Sequence, residues 1–168
     1  MAVTQPDRGC DAAPSTSDLR WAELADLVLI IAREIQFRGY ADERAVPLSQ
    51  SEGMVMRYLL GVPAAPSSRI AAATGLQRTN LSAVLRGLEG KGLVERHANP
   101  DDGRGVTVQA TEHGKNNYAL VRREWGTAVS TAADGESADL DAALGLLRAV
   151  EAGLASARPQ PSGPRPAM

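Results

Sequence analysis

Between Leu76 and Ala110 the apolar residues switch from a helical period to a strand period, and that switch constrains the fold more than anything else in the chain. Leu81, Val84, Leu85 and Leu88 recur at three- and four-residue steps, which lines one face of a helix of about three turns. The stop at Gly90-Lys91-Gly92 supplies the glycine on which helices commonly end and a lysine near the negative end of the helix dipole. Leu93-Val94-Glu95-Arg96 and Val106-Thr107-Val108-Gln109-Ala110 then read as strands, the second with clean alternation, around the polar tip Asn99-Pro100-Asp101-Asp102-Gly103-Arg104-Gly105.

The remaining segments are helical. Trp21, Leu24, Val28, Ile31 and Ile35 mark a first helix, and Ser49-Gln50-Ser51-Glu52 is a capping box opening a second that runs to about Leu60. After the break from Gly61 to Pro66, Ser67 or Ser68 is expected to cap a short helix through Ile70, Ala71 and Ala73 that stops at Gly75. Thr111 opens a helix with the face Tyr118, Val121, Trp125 and Val129. A last helix carries Leu140, Leu144, Leu147, Val150 and Leu154, close to a heptad seam. Two helices joined by a short glycine-containing turn and followed by a hairpin make a winged helix-turn-helix. The expected fold is therefore mainly α with a small β-hairpin wing, flanked by N- and C-terminal dimerisation helices. In domain terms this gives a disordered leader at 1–16, one folded domain at 17–157 and a disordered Pro-rich tail at 158–168. Within the domain, the winged helix-turn-helix spans about 48–114 and the dimerisation helices about 17–40 and 112–157. The apolar surface of the long terminal helices needs cover, and a second copy of the chain is its simplest source, so a homodimer is expected.

Composition removes most other functions. The 168 residues leave room for one domain plus tails, 43% hydrophobic content suffices for a core, and no stretch approaches the ~20 apolar residues of a membrane span. The start MAVTQPDRGC lacks a cationic segment followed by an apolar run, so no secretory signal is read and the expected compartment is the cytoplasm. The single cysteine, Cys10, excludes an intrachain disulfide, and its place in the leader argues against a thiol sensor. With only His97 and His113 as histidines, no zinc cage can be assembled, and no metal or cofactor is expected. There is no GxSxG, P-loop, HExxH or dinucleotide fingerprint, so an enzyme is not expected.

The net charge of −2 hides a segregation. Between Ser67 and Ala110 six cations (Arg69, Arg78, Arg86, Lys91, Arg96, Arg104) face four anions, while the rest of the chain holds 12 cations against 16 anions. Burial of Leu81, Val84, Leu85 and Leu88 turns Arg78, Thr79, Asn80, Ser82 and Arg86 to solvent. Arginine pairs bidentately with guanine and asparagine with adenine in the major groove, while serine and threonine reach bases or phosphates. These residues, with Ser68 on the preceding helix and Asp102 and Arg104 at the wing, are the candidate contacts to double-stranded DNA, and Arg104 is long enough to enter a minor groove. The competing reading is a winged-helix module that binds another protein and makes no specific DNA contact.

Gly75-Leu76, Leu88-Glu89-Gly90-Lys91-Gly92-Leu93-Val94-Glu95-Arg96, Asp102-Gly103-Arg104 and Thr111-Glu112-His113-Gly114 resemble the winged-helix core of the multiple antibiotic resistance regulator (MarR) family of bacterial transcription factors. The likeness extends in outline over Ser17 to Ala157 and residue by residue over Leu48 through Gly114. It implies a triangular homodimer clamped by the terminal helices, with two recognition helices in successive major grooves of a pseudo-palindromic operator and wings in the flanking minor grooves. It also implies, in most such regulators, repression. A small aromatic or apolar ligand often sits between the dimerisation and DNA-binding parts, here near Trp21, Tyr58 and Tyr118, where no carboxylate clamp is evident. The chain departs from the family pattern at Gly103, where a second wing arginine is common, and at Ala83, a position often basic; both lower the charge offered to phosphates.

Overall fold

The computed structural model describes residues 15–98 and 106–158, in two units that divide after Arg38. Asp102, Arg104 and Cys10 lie outside the described residues. No helix among those described is long and apolar enough to cross a membrane.

The first unit contributes one helix, α1, Thr16–Phe37. Its cap sits earlier than the expected start at Ser17, because Ser15 and Asp18 close a capping box: the Ser15 hydroxyl accepts from the Asp18 amide at 3.2 Å, and the Asp18 carboxylate accepts from the Ser15 amide at 3.0 Å. The Ser15 hydroxyl, which also donates to the Asp18 carboxylate at 2.8 Å, and then the Ser15 amide hold this carboxyl below the usual carboxylate range. No residue of α1 is buried, including Trp21, Leu27 and Ile31 on its apolar face.

The second unit holds α2 (Gln50–Leu59), β1 (Ala65–Pro66), α3 (Ser67–Thr74), α4 (Arg78–Gly90), β2 (Val94–Ala98), β3 (Val106–Ala110), α5 (Glu112–Ala132) and α6 (Leu140–Ser156). The Ser49/Glu52 capping box forms as expected and starts α2, whose Val55, Met56 and Leu59 are buried at the centre of the core. Ile70 of α3, Leu81, Leu85 and Leu88 of α4, Leu93, Val94, Val108 and Val121 pack with them. Thr111 caps α5 as expected: its hydroxyl accepts from the Gly114 amide at 2.9 Å and donates to the Gly92 carbonyl at 2.7 Å. Asn117, buried on α5, clamps the loop before α2, accepting from the Val46 amide at 2.7 Å and donating to its carbonyl at 3.0 Å.

The hairpin carries a third strand that the sequence reading took for part of a break. The antiparallel order is β1-β3-β2, with Ala65 opposite Val108 and Pro66 opposite Thr107. Proline lacks the donor a central strand needs, so Pro66 is confined to this edge. The same pairing overturns the expected serine cap. Pro66, held extended by β3, occupies the N-cap of α3, no side-chain cap bond forms, and Ser67 and Ser68 fall inside the first turn. Strand alternation is also altered. Thr107, covered by β1, is buried, whereas Val106 at the last rung before the wing tip is 48% exposed. On α5 the apolar row outruns the core: Tyr118 and Val121 are buried and Val129 is exposed.

Candidate nucleic-acid interface

The turn between α3 and α4 is made by Gly75, whose φ of 73° is one that side-chain-bearing residues seldom adopt, and its amide closes α3 on the Ala71 carbonyl. α4 then starts at Arg78 with Gln77 as an N-cap that makes no side-chain cap bond. Leu81, Leu85 and Leu88 anchor one face in the core, while Arg78 at the helix start and Thr79, Asn80, Ser82 and Arg86 are all exposed. The Ser82 hydroxyl donates to the Arg78 carbonyl at 2.9 Å, which leaves its oxygen lone pairs as acceptors. Ser68 is exposed on the first turn of α3 beside exposed Arg69.

Gln77 was missed by the reading of the sequence. It is exposed directly ahead of Arg78 and carries an amide suited to a base edge or a phosphate. The signal was its place after Gly75-Leu76, at the end of the turn. The helix ends as the glycines promised: Gly92 has φ 69°, its amide reaches the Glu89 carbonyl at 2.9 Å, and the Leu93 amide reaches the Leu88 carbonyl at 2.9 Å.

Charge on this surface is unevenly committed. Lys91 pairs with Glu52 at 2.8 Å and Arg96 with Glu89 at 3.1 Å, whereas among the described residues no carboxylate lies within ion-pair distance of Arg69, Arg78 or Arg86. On the strands leading to the wing tip, Gln109 donates to the Glu95 carboxylate at 2.7 Å and His97 lies 3.3 Å from it. The Gln109 bond, then the His97 contact, lowers the Glu95 carboxyl below its ordinary range. Among the described residues no group of three His, Cys, Asp or Glu side chains is arranged to hold a metal ion.

Three residues were expected at a ligand site. Trp21 lies on α1 in the first unit, 52% exposed, and Tyr58 is half-buried against the core. Tyr118 does line a cavity of about 450 Å³ between α2, α5 and α6, together with Leu60, Leu144 and Leu147. Three guanidinium groups, Arg57, Arg122 and Arg148, join it there, and Glu151 pairs with Arg57 at 3.1 Å. Burial pushes the Tyr118 phenol up against the pull of Arg122 and Arg57. The arginines went unread because one comes from each of three helices distant in sequence.

A core of three helices and a three-stranded wing, with α4 turned outward, defines a winged helix-turn-helix protein. The MarR family model matches residues 47–105, the stretch that holds the winged helix-turn-helix. Solved structures share the fold at low sequence identity. The MarR-family regulator Sco3205 from Streptomyces coelicolor, solved in complex with DNA, aligns with TM-score 0.65 and 21% identity over 93% of this chain and 95% of its own. NadR in complex with 4-hydroxyphenylacetate aligns with TM-score 0.61 and 19% identity over 89% of this chain and 99% of its own. Apo wild-type MarR from E. coli gives TM-score 0.59 and 22% identity over 77% and 95%. Among curated proteins no sequence match is found.

Proposed function

We propose that this protein is a sequence-specific regulator of transcription that binds double-stranded DNA as a homodimer, acts as a repressor, and is released by a small organic anion. The observation that carries the reading is α4: three buried leucines fix a helix on which Arg78, Thr79, Asn80, Ser82 and Arg86 are exposed. Arg78, Thr79 and Asn80 lie in the first turn, the part of a recognition helix that meets base edges. Asp102 and Arg104 belong to the proposal as wing contacts, the aspartate orienting the arginine toward a minor groove. Enrichment of a duplex from a randomised pool, followed by mobility shift, tests this reading; a protein-binding module of the same fold would enrich none.

The ligand part of the reading rests on the cavity beside Tyr118. Leucines and three arginines make a lining that suits an apolar or aromatic carboxylate, the class to which the 4-hydroxyphenylacetate in the NadR complex belongs. Such an anion competes with Glu151 for Arg57 and thereby favours a placement of α6 in which the two recognition helices no longer match successive major grooves, ~34–36 Å apart. Phenolic acids are expected to raise the melting temperature and weaken DNA binding, and Arg57→Ala to abolish both responses. A panel with neither effect removes the ligand part and leaves the DNA part standing.

A further inference from the structure

Lys91 is one of the basic residues that the chain concentrates around its helix-turn-helix, and its place at the end of α4 makes it an obvious phosphate contact. Its surroundings say otherwise. The Lys91 ammonium has three donors, and Nζ lies 2.8 Å from Glu52 Oε1, 2.8 Å from Glu52 Oε2 and 2.9 Å from the Pro47 carbonyl. Glu52 is buried, and the same carboxylate accepts from the Ser49 amide at 2.8 Å to close the capping box of α2. One carboxylate thus serves two helix ends, closing the N-terminal cap of α2 and holding the C-cap residue of α4. The backbone makes room for it: a Cβ at position 87 of α4 would stand 3.0 Å from Glu52 Oε1, closer than ordinary packing allows, and that position is Gly87.

We propose that Glu52 and Lys91 are a positioning pair that sets the angle of α4 against α2, and that Lys91 contacts no phosphate. This rests on the reading of α4 as the DNA-reading helix. At 1.5 Å per residue, Arg78 stands about 18 Å along the helix axis from the far end, so a tilt of about 5° at Lys91 moves the base-reading turn by about 1.5 Å. A displacement of that size breaks hydrogen bonds to base edges, whereas flexible side chains still reach the phosphates.

Three variants isolate the pair. Lys91→Met removes the charge and keeps the stem, and Glu52→Gln keeps the α2 cap acceptor and weakens the ion pair. Gly87→Ala displaces the Glu52 carboxylate without altering any charge while raising helix propensity. Each is measured against the duplex enriched by the wild-type protein and against a scrambled duplex over a series of salt concentrations. In all three the ratio of the two affinities is expected to fall about ten-fold, the loss of roughly one base contact, with the salt slope on scrambled DNA unchanged. The proposal is overturned if Lys91→Met lowers that slope by about two per dimer while Gly87→Ala keeps the ratio, because Lys91 is then a phosphate contact. It is equally overturned if no variant changes the ratio. Amide exchange at Leu88, Gly92 and Leu93 in the DNA-free protein supplies a readout independent of DNA. Should the wild type enrich no duplex, the DNA reading falls by itself; faster exchange in Lys91→Met and Glu52→Gln then retains the pair as the anchor of α4, and unchanged exchange overturns it.

Discussion

The winged helix and the helices that flank it put the same amphipathic pattern to opposite use. In α4, Leu81, Leu85 and Leu88 are 2% exposed or less, sealed by α2, α3 and the sheet of their own chain. α1 and α6 are at least as apolar, yet neither buries a single residue, and Leu140, Leu146, Leu147 and Leu154 of α6 stand open. A helical period therefore identifies a face that requires cover but not what supplies it. Apolar surface on this scale, on a chain that otherwise packs well, marks an association surface. The winged helix is complete within one chain, and the flanking helices are proposed to be completed by a second.

That contrast fails outright if the flanking helices are dispensable. The full chain is expected to scatter light as a particle of twice the 17.7 kDa of one copy, and a variant ending at Asp134, which lacks α6, to lose the dimer altogether. A truncated protein that stays dimeric and soluble breaks the comparison. Next in size, Leu85→Ala is expected to destabilise the fold by about 2–5 kcal/mol, with a melting shift independent of protein concentration. Leu154→Ala, from the open face of α6, should instead weaken dimerisation by about 1.5–3 kcal/mol per buried side chain and give a shift that grows on dilution. Two shifts with the same concentration dependence would erase the distinction between internal core and interface.

On the outer face of α4, Arg78→Ala is expected to cost about 1–3 kcal/mol on the enriched duplex and to flatten base preference at one position per half-site, read by titration against single-base variants. A uniform loss across all sequences would make Arg78 a phosphate contact. The smallest effect belongs to the loop before α2, where Arg44 grips the Asp42 carboxylate through Nε at 2.9 Å, Nη2 at 2.7 Å and its backbone amide at 3.0 Å. The side-chain and backbone bonds from Arg44 hold this carboxyl down to about 2. Its folded-state pKa lies below the ordinary value, so the stabilisation is present above about 4 and is lost as pH falls toward 2. Asp42→Asn should lower the melting temperature slightly at neutral pH, with the difference from wild type vanishing near pH 2.

Much of this was legible in residue order. Capping boxes, glycine stops and the period switch after Gly92 are local signals, and they gave the helix-turn-helix, the hairpin and the outward residues of α4 in register. The misses are all non-local. Pairing with β3, more than forty positions away, turned Ala65-Pro66 into a strand and displaced the serine cap of α3. The arginines around Tyr118 converge from three helices, and Lys91 is bonded to a carboxylate 39 positions earlier and to the Pro47 carbonyl, so a cation counted toward the DNA-facing charge is paired within the chain. Family resemblance carried the ligand expectation to Trp21, Tyr58 and Tyr118, and of these Tyr118 lines the cavity it shares with the arginines.

The central claim, that α4 reads duplex DNA from two copies of the chain at once, is tested most directly by selection from a randomised duplex pool with all 168 residues present. The account predicts enrichment of a two-fold-symmetric site whose half-site centres lie about 10–10.5 base pairs apart, with preference lost at one position per half-site in Arg78→Ala. Enrichment of a single asymmetric site, or of none by a folded dimer, would contradict it.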